Sequence, residues 1–147
     1  MDVLDLEIRN ATYREFVERG RAPLIPEVAH ATGRTEAEVR ASWQRLHDDH
    51  ALVLEPDGER IRMANPFSAR ETPFRVDAAG RSWFANCAWD AFGIGAALHV
   101  DSTIRTACAD CDEPIEVHVR DGRPDDTELV FHVLVPAASW WTDIGFT

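Results

Sequence analysis

The chain has no lysine. Its fifteen basic residues are all arginine and stand against twenty-six acidic ones, a formal net charge of −11. Neutralising phosphates needs an excess of basic residues, so this balance excludes a general nucleic-acid-binding surface. The absence of lysine by itself points to no function. No run approaches the roughly 18 to 20 apolar residues that a membrane span needs. The first residues, Met1-Asp2-Val3-Leu4-Asp5-Leu6-Glu7-Ile8, are acidic where a signal peptide is basic. A cytoplasmic protein with reduced thiols is therefore expected. Cysteine is scarce too: Cys87, Cys108 and Cys111 are an odd number for a disulfide framework and fit reactive or metal-binding thiols. Internal repeats and low-complexity tracts are absent.

What is present is a core. With 147 residues, 45% of them hydrophobic, five Trp and seven Phe, the chain can build one ordinary domain or two small ones sharing a core. Wholesale disorder is excluded.

Residues 1–64 read as three helices and a hairpin. Leu4, Leu6, Ile8, Tyr13, Phe16 and Val17 suggest a helix ending near Gly20. Pro26 near its start and Gly33 past its end bracket a short second helix. Thr35 and Glu38 form a capping box that opens a third, with Val39, Trp43 and Leu46 on its apolar face. Ala51–Leu54, a turn at Glu55–Gly58 and Arg60–Met63 complete a hairpin. That order is winged-helix-like. The exposed face of the third helix mixes Arg40 and Arg45 with Glu36, Glu38, Asp48 and Asp49, a poor face for reading a DNA groove.

A proline-punctuated stretch from Asn65-Pro66 to Thr72-Pro73 leads into residues 65–147, read as a second domain. Alternation predicts strands at Phe74–Asp77, Ser82–Ala85, Ser102–Ala107, Ile115–Val119 and Leu129–Val135. His118 and His132 are placed on the wet face of that sheet. The fold class is thus α+β: a winged-helix-like region packed on a mostly antiparallel sheet, with one helix carrying Cys87 and Asp90.

That helix is the centre of the chemistry. Trp83-Phe84-Ala85 reads as a buried strand, Asn86 as an N-cap and Cys87 to Leu98 as a helix. Cys87 and Asp90, three apart, then share a face. A helix N-terminus favours thiolate, while a nearby carboxylate disfavours it, which suits a pair that passes one proton between sulfur and oxygen. The same residues also serve as a buried thiol beside an acidic first-turn residue, a purely structural arrangement. Cys108-Ala109-Asp110-Cys111 is a CxxC between two strands, in the shape of a zinc-knuckle turn. A structural zinc site needs four ligands and usually two such pairs. The remaining candidates, Cys87, His99, His118 and His132, are scattered. Trp140-Trp141 reads as a packing anchor for the terminal segment.

Several blocks together resemble the organomercurial (alkylmercury) lyases. They are Asn65-Pro66-Phe67-Ser68, Thr72-Pro73-Phe74-Arg75-Val76, Trp83 to Ile94, Cys108 with Glu113-Pro114-Ile115, Val133-Leu134-Val135-Pro136 and Trp140 to Thr147. The resemblance implies a lyase that protonolyses a carbon–mercury bond, releasing a hydrocarbon and thiol-bound Hg(II). It implies Cys87 as a thiolate ligand and Asp90 as the proton donor, with no cofactor required. Soft thiolates suit mercury, and coordination needs them deprotonated. In that family a second catalytic cysteine follows the Trp-Trp region, and no cysteine follows Cys111 here. The resemblance therefore implies either a truncated or diverged member, or a second thiolate from Cys108, whose family position is structural, or from Cys111. The expected metal ligands are Cys87, Cys108 and Cys111. The expected partner is a small organomercurial or a soft metal ion, with neither nucleic acid nor membrane. An uncovered sheet edge would accept a second copy of the chain as a homodimer. The alternative is a non-catalytic thiol metal-binding protein or a metal-responsive winged-helix regulator.

Overall fold

The computed structural model describes residues 1–125 and 128–145. Three helices come first: α1 (Val3–Arg19), α2 (Ile25–Thr32) and α3 (Glu36–Asp48). Their ends follow the sequence. Gly20 and Gly33 close α1 and α2 in the left-handed conformation, at φ of 69° and 68°. Thr35 and Glu38 make the capping box of α3.

Eight strands then form a single antiparallel sheet in the order β1-β2-β3-β5-β4-β6-β7-β8. They are β1 (Val53–Leu54), β2 (Ile61–Ala64), β3 (Phe67–Ser68), β4 (Arg75–Ala78), β5 (Arg81–Ala85), β6 (Ser102–Ala107), β7 (Pro114–Arg120) and β8 (Arg123–Pro124). The helix α4 (Ala88–Leu98) lies on β4, β5 and β6, and a 3-10 helix runs over Ala137–Thr142. None of the described helices is long and apolar enough to cross a membrane.

One hydrophobic core runs from the helices through the sheet to α4. Trp43 is its largest fully buried side chain. Its indole N–H donates to Thr12 Oγ1 at 2.9 Å, and that hydroxyl donates to the Ile8 carbonyl at 2.8 Å. Phe16 of α1 meets Phe67 of β3 at 5.2 Å between ring centroids, and Phe67 meets Trp83 of β5 edge-on at 5.9 Å. The helical layer and the sheet thus share their aromatics. Asp5, only 2% exposed, accepts from Ser42 Oγ at 2.7 Å and from the Arg45 guanidinium at 2.6 Å. The Arg45 hydrogen bond holds its carboxyl down at about 2.

Two expectations fail. Leu129–Val135 pairs with no strand. All seven of its residues line a cavity, with Leu129, Phe131 and Val133 less exposed than Val130 and Leu134, so alternation survives without a ladder. His132 consequently lies on this unpaired segment and not on the wet face of a sheet. His118 does sit on β7, where its Nδ1 is 3.2 Å from Thr103 Oγ1.

Candidate active site

The close approach of α4 to the sheet fixes the site. A Cβ on Gly95 would stand 2.6 Å from Ser102 Oγ, and one on Gly93 would stand 3.2 Å from Pro66 Cβ. Glycine at 95 lets the helix lie this near to β6, and glycine at 93 eases its contact with the Asn65-Pro66 turn. Because α4 ends just before β6 begins, the two run in opposite directions. The N-terminus of α4, with Cys87, therefore lies at the same end of the sheet as the C-terminus of β6, with Cys108.

Both thiols open on one cavity of about 880 Å³, a size that suits a small-molecule ligand. Its walls are mostly apolar: Ile104 and Ile115 from β6 and β7, Phe74 from just before β4, Phe92 from α4, and the 129–135 segment with Trp140. The Trp140 indole donates to the Val135 carbonyl at 2.7 Å and ties the 3-10 helix to that segment. Next to it, Trp141 stacks on His50 at 4.1 Å, and Arg62 Nη2 donates to the Gly145 carbonyl at 3.3 Å. The terminal segment thereby touches His50, just past α3, and strand β2, while none of the residues of its 3-10 helix is buried.

Cys87, and not Asn86, is the N-cap of α4, with an extended backbone. Asn86 sits in the preceding turn, where its Nδ2 donates to Asp90 Oδ2 at 2.9 Å and to Asn65 Oδ1 at 3.0 Å, while its Oδ1, the atom that would cap the helix, has no partner among the described residues. Asp90 falls at the third helical residue, the capping-box position. Burial pushes the Cys87 thiol up, and the Asp90 charge adds to this, while the Asp90 and Trp89 amides at the helix start favour the thiolate. Burial also raises the Asp90 carboxyl, against the Asn86 hydrogen bond. Asp90 lies beside the cavity lining and not in it.

Cys108 is held differently. It ends β6 in a turn closed by Cys108 N–H to the Glu113 carbonyl and Asp112 N–H to the Cys108 carbonyl, each 2.9 Å. The backbone N–H groups of Asp110 and Cys111, and the Cys111 thiol, all act on its sulfur and lower its pKa. Cys111 is exposed and outside the cavity lining. Among the described residues no three His, Cys, Asp or Glu side chains gather into a metal site.

Compared with protein families, residues 67–147 match MerB, alkylmercury lyase. The chain belongs to the alkylmercury lyase family. Among solved structures it is similar to the mercury-bound form of MerB2, with a TM-score of 0.66 and 27% identity. That match covers 86% of this chain and 60% of the other, so the chain spans less than two thirds of its relative's length. No curated protein matches.

Within this alkylmercury lyase fold, several residues around Asp90 escaped the sequence reading. Asn86 holds the carboxylate from one side, and Asn65 in turn accepts from the same Asn86 amide. Tyr13, whose hydroxyl donates to the Asn65 carbonyl at 3.0 Å, feels the Asp90 charge from the helical half. The spacing of Asn86 and Asp90, four apart at a helix start, was a signal for their contact. Asn65 and Tyr13 are remote in sequence and carried none. Phe146 and Thr147, part of the terminal block that resembles the family, lie outside the described residues.

Proposed function

We propose that this chain protonolyses the carbon–mercury bond of small organomercurials, converting R–Hg⁺ to RH and Hg(II). The observation that carries the reading is two thiols, Cys87 and Cys108, opening on one apolar cavity in a member of the alkylmercury lyase family. The apolar walls suit the organic group R, and the thiolates suit the soft metal. In this reading residues 1–64 are a winged-helix-like domain that buttresses the lyase-like core of residues 65–147.

Cys87 loses its proton as it binds mercury, because coordination to a soft cation selects the thiolate even where burial opposes it. Asp90 is the nearby acceptor. Its raised affinity for a proton makes it a better donor at neutral pH than an exposed carboxylate. Asn86 fixes the direction in which that proton is offered. Cys108 adds as the second thiolate, already favoured in its charged form by its turn. The Asp90 proton then goes to the carbon, and the electron pair of the carbon–mercury bond becomes the new carbon–hydrogen bond. Nothing is oxidised or reduced, and Hg(II) remains on two sulfurs.

The test is hydrocarbon release from phenylmercury by the purified chain in excess monothiol. Benzene should appear with the chain and fall by at least about 1,000-fold in Cys87→Ser, the scale expected for loss of a covalent ligand at the reacting centre. A chain that binds Hg(II) but releases no benzene would overturn this reading. The alternative, a thiol metal-binding protein without catalysis, would then stand. The exposed dithiol turn is what favours that alternative.

A further inference from the structure

The Proposed function uses two thiols and leaves Cys111 idle, yet the fold places it with purpose. Cys108 forms part of the cavity wall, while Cys111, one turn on, faces solvent. The turn that joins them is closed at both ends by backbone hydrogen bonds, so the two sulfurs are held as neighbours. The Cys111 side chain lies near enough to Cys108 to act on its sulfur. Cys87, Cys108 and Cys111 thus form an ordered series from helix start to cavity wall to surface.

We propose that Cys108 and Cys111 form a dithiol exit site that carries Hg(II) from the cavity to an external thiol. The inference rests on the lyase reading for the origin of the metal, but the site itself is independent of it. Two thiolates suffice because Hg(II) is content with two sulfur ligands, so the lack of a three-ligand cluster among the described residues is no obstacle. The step is a ligand exchange. Hg(II) starts between Cys87 and Cys108. The Cys111 thiol gives its proton to water, its sulfur bonds to mercury, and the mercury–Cys87 bond breaks with its electron pair returning to Cys87. Cys87 sulfur then takes up a proton. No electron is transferred. An external dithiol repeats the exchange at Cys111, where solvent reaches the metal.

Cys87→Ser leaves Cys108 and Cys111 as the only thiols in the sequence. By equilibrium dialysis against a competing monothiol, this variant should bind one Hg(II) per chain. Adding Cys111→Ser should weaken that binding by about 100-fold or more, the usual gain from a second tethered ligand. Equal binding by the two variants would overturn the site, whether or not the unaltered chain cleaves phenylmercury. For the transfer step, the unaltered chain and Cys111→Ser are loaded with Hg(II) and mixed with an external dithiol. Release should be slower in the variant by at least about threefold, as expected when the attacked position is less accessible. Equal release rates would overturn the exit role. Circular dichroism on each variant separates loss of a ligand from loss of the fold.

Discussion

Around Trp43 the chain is packed solid, and its buried polar groups pass hydrogen bonds from the indole through Thr12 to the Ile8 carbonyl. Around Cys87 and Cys108 it leaves a cavity of about 880 Å³, one wall of which is a segment without strand partners. The first region is built for stability, since filled volume and satisfied polar groups are what hold a fold. The second gives up packing and leaves Cys87 and Cys108 on the wall of an open, mostly apolar space. The difference teaches where substitutions should register: in unfolding free energy on one side, in chemistry on the other.

The comparison breaks most visibly at Trp43. Trp43→Ala empties a fully buried site and should cost about 3 to 5 kcal/mol, measured by urea unfolding. Cys87→Ala in the cavity region should change unfolding by far less while removing benzene release. Next in size is Asp90→Asn, which keeps the shape and removes the proton. It should slow cleavage by about 100-fold or more, with Hg(II) binding retained, because general-acid catalysis contributes on that scale. Comparable cleavage in the variant would move the donor role elsewhere.

Asp5 sharpens the helical side. Asp5→Asn removes a charge held by Arg45 and Ser42 in a buried position and should cost about 2 kcal/mol at neutral pH. Its folded-state pKa of about 2 lies below the ordinary value of 3.8. The stabilisation is therefore present above about pH 4 and is lost as pH falls through about 2. Unfolding curves of the two proteins should converge across that window. The smallest effect is at Gly95, where α4 meets β6. Alanine gains helix propensity of about 1 kcal/mol, yet its Cβ would sit 2.6 Å from Ser102 Oγ. Overpacking wins, and Gly95→Ala should be net destabilising by about 1 kcal/mol. A neutral or stabilising result would show that α4 can lift from the sheet at no cost.

The helices were legible because their signals are local: Gly20, Gly33 and the Thr35–Glu38 box each mark an end within a few residues. The strands at β4 to β7 were legible because alternation marks a half-buried ladder. The same signal misled at Leu129–Val135, where alternate residues differ in exposure but, among the described residues, no partner strand supplies hydrogen bonds. At Asn86 a good capping residue does not cap: its amide nitrogen donates to Asp90 and Asn65, and its oxygen reaches no backbone N–H of α4.

The sequence by itself determined the local chemistry. It set Cys87 three residues before Asp90 at a helix start, and put Cys108 and Cys111 in one turn, because i to i+3 relations depend only on backbone geometry. The tertiary structure decided which thiols meet. Cys87 and Cys108 are twenty-one positions apart, and only the reversal between α4 and β6, permitted by the glycines that let the helix lie close, brings both to one cavity. It also decided that Cys111 faces solvent and that Tyr13 and Asn65 stand near Asp90. Such encounters depend on how layers pack, and packing is a property of the whole chain.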